Sequence, residues 1–80
     1  MRKGIIIDHA LVDRFDGTDI HTKDALEPNT NVIIIDHCIV YGIDYVKIEY
    51  DNGKIGYVDD KCIVEVAAWS EEDIWTMKKN

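Results

Sequence analysis

The sequence predicts an all-β protein, mainly a small barrel of five short strands followed by a short C-terminal α-helix. Three observations lead to this prediction. Apolar and polar residues alternate along residues 45–50, which is typical of a half-buried strand. Asp51-Asn52-Gly53 follows, and Asn-Gly between two such runs is a strong hairpin signal. Turn residues recur every eight to twelve positions, which at a length of 80 residues favours a small barrel.

The N-terminal half predicts two strands separated by a polar segment. The first strand runs from Ile5 to Val12. A turn follows at residues 16–19, because Gly and Asp both favour turn conformations. Residues 20–31 are polar with spaced apolar anchors, and they end in a proline-containing turn. Val32 to Val40 forms the longest apolar strand.

The C-terminal half of the barrel predicts three further strands. Gly42-Ile43-Asp44 breaks the chain after the long strand. The third strand, residues 45–50, turns back across the hairpin into the fourth, Ile55 to Val58. Asp59-Asp60-Lys61 makes a tight polar turn, and Cys62 to Val66 is the last strand.

The pattern changes after residues 1–67, and residues 68–80 predict a helical tail of the same domain. Ser70 suits a helix N-cap, and the acidic residues that follow it suit the positive end of the helix dipole. The predicted helix covers residues 71–78, which is too short to be stable alone. We therefore expect the tail to pack on the barrel.

Two roles for the tail's aromatic residues remain open. Trp69, Ile74 and Met77 could cover an open end of the barrel. Alternatively, Trp75 could be a binding anchor, since tryptophan is enriched at the hot spots of protein interfaces.

The charge distribution limits the classes of partner. The net charge is −7, and the termini hold four of the nine basic residues, so residues 4–77 carry 5 basic and 16 acidic residues, a net charge of −11. Binding to nucleic-acid phosphates or to an anionic membrane requires clustered Lys and Arg, which this segment lacks. A basic protein partner fits the charge, although acidic surfaces also serve solubility alone.

The cysteines and the N-terminal segment indicate a reducing compartment. Cys38 and Cys62 could form at most one disulfide, far from the dense pattern of small secreted proteins. The apolar run Ile5-Ile6-Ile7 ends at Asp8, well short of a signal-peptide core of ~7–15 residues. We expect a cytoplasmic protein with free thiols.

The order of these segments resembles an SH3 domain over residues 5–66. Ala10-Leu11-Val12-Asp13-Arg14 is similar to the ALYDY stretch that begins SH3 domains, and Asp16 to Asp19 would lie in the acidic RT loop. Gly53 to Val58 resembles the distal hairpin with its glycine–aromatic–aliphatic signature, and bacterial SH3-like domains are closest to this chain over Tyr45–Ile63. Gly56 has a physical role there, since a bare backbone lets a barrel strand bend sharply.

The aromatic groove of SH3 domains, which binds proline-rich segments, is changed in this sequence. The resemblance would place the groove tyrosines of the ALYDY segment at Val12 and Arg14, and the other groove positions at Asp44-Tyr45, Asp59 and Cys62. Acidic residues therefore stand at two of these positions, Asp44 and Asp59. The resemblance implies that the loops converge on a partner-binding surface. Its predicted residues are Asp16, Asp19, Tyr45, Tyr57 and Asp59, together with Trp75 of the tail.

Catalytic, cofactor and metal chemistry have little support in the sequence. The three histidines and two cysteines follow no spacing typical of a catalytic or zinc site, and no glycine-rich phosphate loop indicates a cofactor. Asp8-His9 and Asp36-His37-Cys38 do repeat a ligand-rich pair, to which Cys62 could add a thiolate. We predict no enzyme, no cofactor and no metal site, and whether these side chains converge stays open.

Two functions from different classes follow. The first is a non-catalytic protein–protein interaction module that binds a basic protein through an acidic face. The second is a small acidic inhibitor whose carboxylates mimic nucleic-acid phosphates and block a nucleic-acid-binding protein. Self-association as a homodimer is a further option, since the Ile-rich strands could leave an unpaired edge.

Overall fold

The computed structural model describes residues 1–17 and 19–69, and these residues form an all-β domain. Seven strands and one 3₁₀ turn follow one another along the chain. They are β1 (Arg2–Ile6), β2 (Ala10–Asp16), β3 (Asp19–Leu26), β4 (Asn31–Val40), β5 (Ile43–Tyr50), β6 (Lys54–Asp59), the 3₁₀ turn (Asp60–Cys62) and β7 (Ile63–Val66).

All seven strands belong to one antiparallel sheet with the order β3-β2-β6-β5-β4-β1-β7. The consecutive strands β4, β5 and β6 form a meander, and β1 lies between β4 and β7. The β2–β3 hairpin joins the sheet through the pairing of Asp13 with Tyr57 on β6. This pairing brings residues of β2 beside the hairpin formed by β5 and β6.

The predicted five-stranded barrel is wrong in its strand count, and the sheet order has two ends, β3 and β7, rather than a closed ring. The segment from Ile5 to Val12 holds two strands, because the chain turns at Asp8, whose Oδ1 accepts a hydrogen bond from the amide of His9 at 2.8 Å. Asp19–Leu26 forms β3, although residues 20–31 were predicted as a polar segment and Asp19 as the end of a turn. The predicted helix over 71–78, and Trp75 with it, lies outside the described residues.

Two tight turns fix the meander. Val40 pairs with Ile43 across Tyr41 and Gly42, which both have positive φ angles of 52° and 77°. This is the two-residue hairpin turn that matches the twist of antiparallel strands. Ile43 and Asp44, predicted as part of a break, therefore belong to β5. The predicted hairpin at residues 51–53 is confirmed, with Tyr50 paired to Lys54.

The core lies on one face of the curved sheet. Its fully buried side chains come from alternate positions of neighbouring strands, namely Ile6, Val12, Val32, Val46, Ile48 and Val58. Gly56 faces Val12 so closely that a Cβ at this position would overlap Val12 Cγ1. The strand β6 can cross β2 at this point only because Gly56 has no side chain.

Trp69 follows β7 and folds back on β1. Its Nε1 donates a hydrogen bond to the carbonyl oxygen of Gly4 at 2.9 Å, and the ammonium of Lys3 lies 5.5 Å from the ring centroid. Within residues 1–17 and 19–69, no helix is long and apolar enough to cross a membrane.

Candidate functional site

The candidate site lies on the sheet face opposite the core, where β2, β6 and β5 are adjacent. Tyr57 of β6 pairs with Asp13 of β2 on one side and with Lys47 of β5 on the other. Asp59 of β6 pairs with Tyr45 of β5. Because paired residues point to the same face and alternate residues share a face, all five side chains belong to this outer face.

Three aromatic rings pack together on this face, and we call Phe15, Tyr45 and Tyr57 the aromatic cluster. The centroid of Phe15 lies 4.8 Å from that of Tyr57 and 5.0 Å from that of Tyr45, the second pair being edge-to-face. Both separations lie in the range of attractive aromatic pairs. Tyr45 is only 7% exposed, while Phe15 and Tyr57 are half-buried. The cluster is therefore an ordered apolar platform that partly faces solvent.

Carboxylates flank the aromatic cluster. Asp13 accepts a 3.0 Å hydrogen bond from Thr22 Oγ1, and its other oxygen lies 3.5 Å from the hydroxyl of Tyr45. Burial first, and then the charge of Asp13, raise the pKa of Tyr45, so its hydroxyl stays protonated and can donate. Asp59 on the other flank caps the 3₁₀ turn by accepting from the amide of Lys61 at 2.9 Å.

Most of the predicted site residues come together. Tyr45, Tyr57 and Asp59 lie at the aromatic cluster or beside it. Asp16 and Asp19 pair with each other at the exposed end of the β2–β3 hairpin, immediately beyond Phe15.

Sequence reasoning missed Phe15 and Asp13. The resemblance placed the groove positions at Val12 and Arg14, but Val12 is fully buried in the core. Phe15 and Asp13 share the opposite face, which the alternation Ala10-Leu11-Val12-Asp13 already indicates once Ala10 and Val12 are taken as core. Phe15 is also the only phenylalanine in the chain.

A second contact holds the β2–β3 hairpin against the sheet and so positions Phe15. The hydroxyl of Tyr50, which is 3% exposed, donates a 2.6 Å hydrogen bond to Asp24 Oδ2. Burial and this bond raise the pKa of Tyr50 to about 12. Lys54 Nζ lies 3.9 Å from the same Asp24 oxygen and 3.1 Å from Asp51.

Cys38 pairs with Tyr45 of the aromatic cluster, and His37 precedes it in β4. Among residues 1–17 and 19–69, no group of three or more His, Cys, Asp and Glu side chains could hold a metal ion. Cys38 and Cys62 are both free thiols. Burial, with Asp59 and Asp8, raises the pKa of Cys62, whereas nucleophilic cysteines have a lowered pKa.

Comparison with protein-family models, with curated proteins and with solved structures gives no significant match. The chemical character of the site therefore rests on its own geometry. Aromatic faces attract cations, and carboxylates pair with them. An aromatic platform flanked by carboxylates is suited to a lysine or arginine side chain with apolar neighbours.

Proposed function

We propose that this protein is a non-catalytic interaction module that binds a basic segment of a protein partner on its outer sheet face. The observation that carries the proposal is the packing of Phe15 against Tyr45 and Tyr57, between Asp13 and Asp59. Apolar rings supply contact area, and the surrounding carboxylates select for positive charge and steer the encounter.

We further propose that the domain is SH3-like. Its first strand lies beside its last, a long hairpin, β2–β3, follows the first strand, and a three-stranded meander comes next. The 3₁₀ turn Asp60–Cys62 then leads into the last strand. This succession supports the resemblance seen in the sequence. The aromatic cluster would then correspond to a binding groove with acidic residues where apolar contacts are usual.

The net charge supports a basic partner. Asp16 and Asp19 extend the acidic surface beyond Phe15 and are exposed. Such exposed charges act mainly on association rate and on salt dependence, while buried aromatic contacts act on dissociation. A partner that binds here should therefore associate more slowly as salt rises.

The experiment compares the proteins that the immobilised wild-type chain and two variants capture from host lysate. Asp16→Lys is the site variant. Glu27→Lys is the matched control, because it changes the net charge equally at the other end of the hairpin, beside Leu26. We expect a partner that the wild type and Glu27→Lys retain and that Asp16→Lys loses. Equal capture by both variants would show that the acidic face is not the binding surface.

A second candidate function, phosphate mimicry, is favoured by the number of acidic residues around the site. Asp13, Asp16, Asp19, Asp59 and Asp60 all lie on the hairpin β2–β3 or near the end of β6. The same capture experiment separates the two candidates. If DNA or RNA displaces the captured partner, the protein is an inhibitor of a nucleic-acid-binding protein. If neither competes, the interaction module stands and mimicry is excluded.

A further inference from the structure

The outer half of β4 has an open edge. The pairing of β1 with β4 ends at Arg2 and Ile34, but β4 continues to Val40. Residues 36–40 pair with β5 on one side, and no strand within the described chain pairs with their other side. At ~3.3 Å per residue, this edge is about 16 Å long. The amide of His37 donates to Asp36 Oδ1 at 2.8 Å, and the remaining outward backbone groups of this edge could pair with an added strand.

The edge of β4 differs from the outer edge of β3. The strand β3 carries charged residues along its length, among them Asp19, Lys23 and Asp24, and charge protects an edge from unwanted pairing. The end of β4 and its turn instead expose apolar side chains. Ile39 is 71% exposed and Tyr41 66%, and Ile35 and Ile43 are also exposed. This edge therefore exposes apolar side chains as well as being open to strand pairing.

A hollow of about 310 Å³ adjoins the open edge. Cys38, Ile39 and Tyr45 form apolar walls, Asp44 and Asp60 add two carboxylates, and His37 completes the lining with its Nδ1 3.9 Å from Asp60 Oδ1. A lysine or arginine side chain suits such a space, since its aliphatic stem can contact apolar walls while its charged head reaches carboxylates.

We infer that residues 36–40 of β4 accept an extended segment of a partner protein as an added strand, with one of its lysines or arginines in the hollow. Main-chain hydrogen bonds supply affinity in this mode of recognition, and side-chain pockets supply specificity. The inference rests on the proposed function for the claim that the occupant is a basic protein. It adds a contact surface on the other side of β5.

A second copy of this chain fits the edge less well than a basic segment. Each copy carries a net charge of −7. Pairing two β4 edges would bring Asp36 of the edge, and Asp44 and Asp60 of the hollow, from both copies to one interface. Like charges brought together at an interface disfavour the pairing. The occupant is therefore a partner with the opposite charge.

The test uses a fluorescein-labelled peptide of alternating lysine and valine residues and the full chain. Binding is followed by fluorescence anisotropy, and the contacted residues by the NMR shifts of backbone amides. We expect Ile39→Lys to weaken binding about tenfold or more, equivalent to ~1.4 kcal/mol. The control is Ile7→Lys, which makes the same change at a residue 52% exposed in the β1–β2 connection, and it should bind like the wild type.

A peptide of the same sequence with alternate backbone amides methylated is the second control. The methylated peptide keeps the charge but cannot form main-chain hydrogen bonds along its edge. We therefore expect it to bind the wild type about as weakly as the unmethylated peptide binds Ile39→Lys. Equal binding of the methylated peptide, or an equal effect of Ile7→Lys, would refute strand addition. A dimer in sedimentation that Ile39→Lys abolishes would assign the edge to a second copy and overturn the inference. The inference and the proposed function fail separately, because Ile39→Lys tests the inference and Asp16→Lys tests the proposed function.

Discussion

The hydrogen bond from Tyr50 to Asp24 should stabilise the contact between the β2–β3 hairpin and the rest of the sheet. Tyr50→Phe removes only the hydroxyl and leaves the ring, which is 3% exposed, in the core. The bond is short at 2.6 Å and its acceptor is a carboxylate, so it belongs to the stronger class of hydrogen bonds. In Tyr50→Phe, Asp24 would still have Lys54 Nζ at 3.9 Å and some contact with water, and both offset part of the free energy lost with the hydrogen bond.

We expect Tyr50→Phe to lower the free energy of unfolding by about 1–2 kcal/mol at pH 8. For a domain of this size, that corresponds to a fall in Tm of roughly 4–8 °C per kcal/mol. Urea denaturation of both proteins measures the difference. The coupling between the two residues is obtained by adding Asp24→Asn and the double variant, since contacting pairs are not additive.

The pH dependence provides a sharper test. The pKa of Tyr50 is raised to about 12 in the folded protein from 10.0, so between these values the unfolded chain loses a proton that the folded chain keeps. Stability from this group is present below about pH 10 and is lost as the pH rises toward about 12, by up to ~2–3 kcal/mol. Every other tyrosine and lysine is common to both proteins, so their titration cancels in the difference.

The advantage of the wild type over Tyr50→Phe should therefore shrink or reverse between pH 9 and pH 12. A constant difference across this range would refute the reasoning, because it would mean that the hydroxyl ionises alike in folded and unfolded chains. A loss of partner binding in Tyr50→Phe at neutral pH would further indicate that the bond positions Phe15.

Three further outcomes test the core, the aromatic cluster and the thiol. Gly56→Ala should destabilise the protein by ~1–3 kcal/mol in urea denaturation, because its Cβ would meet Val12, and Val12→Ala in the same chain should restore part of the loss. Phe15→Ala should lower the free energy of unfolding by about 1–2 kcal/mol, because two ring contacts are lost, and it should also weaken partner binding. A loss of stability without a loss of binding would mean that the aromatic cluster has a structural role only. Cys62 should react with iodoacetamide more slowly than free cysteine at pH 8, as followed by mass spectrometry, since its pKa is raised, and faster reaction would contradict that environment.

Local signals predicted the elements whose structure depends on neighbouring residues. The turn at residues 51–53 is an example, since its positive φ angles are what Asn and Gly accommodate most readily. The alternation along β5 likewise predicted that Val46, Ile48 and Tyr50 share the core face, and all three are buried. These features need no knowledge of distant contacts.

The strand β3 was missed for the opposite reason. Most of its residues are exposed, so apolar and polar residues do not alternate along it. Its strand conformation comes from pairing with β2, and Lys23 is an extra residue where the register shifts opposite Val12 and Asp13. Sequence periodicity cannot show pairing of this kind, because no buried face imposes it.

The residues of the candidate site also divide into those that local sequence indicates and those that only long-range pairing brings in. Tyr45, Tyr57 and Asp59 were predicted from the resemblance, and all three lie on the β5–β6 hairpin, which the sequence marks clearly. Phe15 and Asp13 reach them only through the pairing of Asp13 with Tyr57, a contact 44 positions apart in the sequence. The close packing of Gly56 against Val12 lies next to this pairing, and long-range register of this kind becomes visible only in the folded chain.

The two proposed surfaces meet at Tyr45. Its ring packs against Phe15 in the aromatic cluster, and it also forms one wall of the hollow beside β4. Any substitution of Tyr45 would therefore disturb both surfaces and could not distinguish them. Asp16 and Ile39 lie on opposite sides of this shared residue, so each reports on one surface alone. If one partner spans both, the second contact forms within the complex, and two modest contacts can then give a combined affinity far above either one.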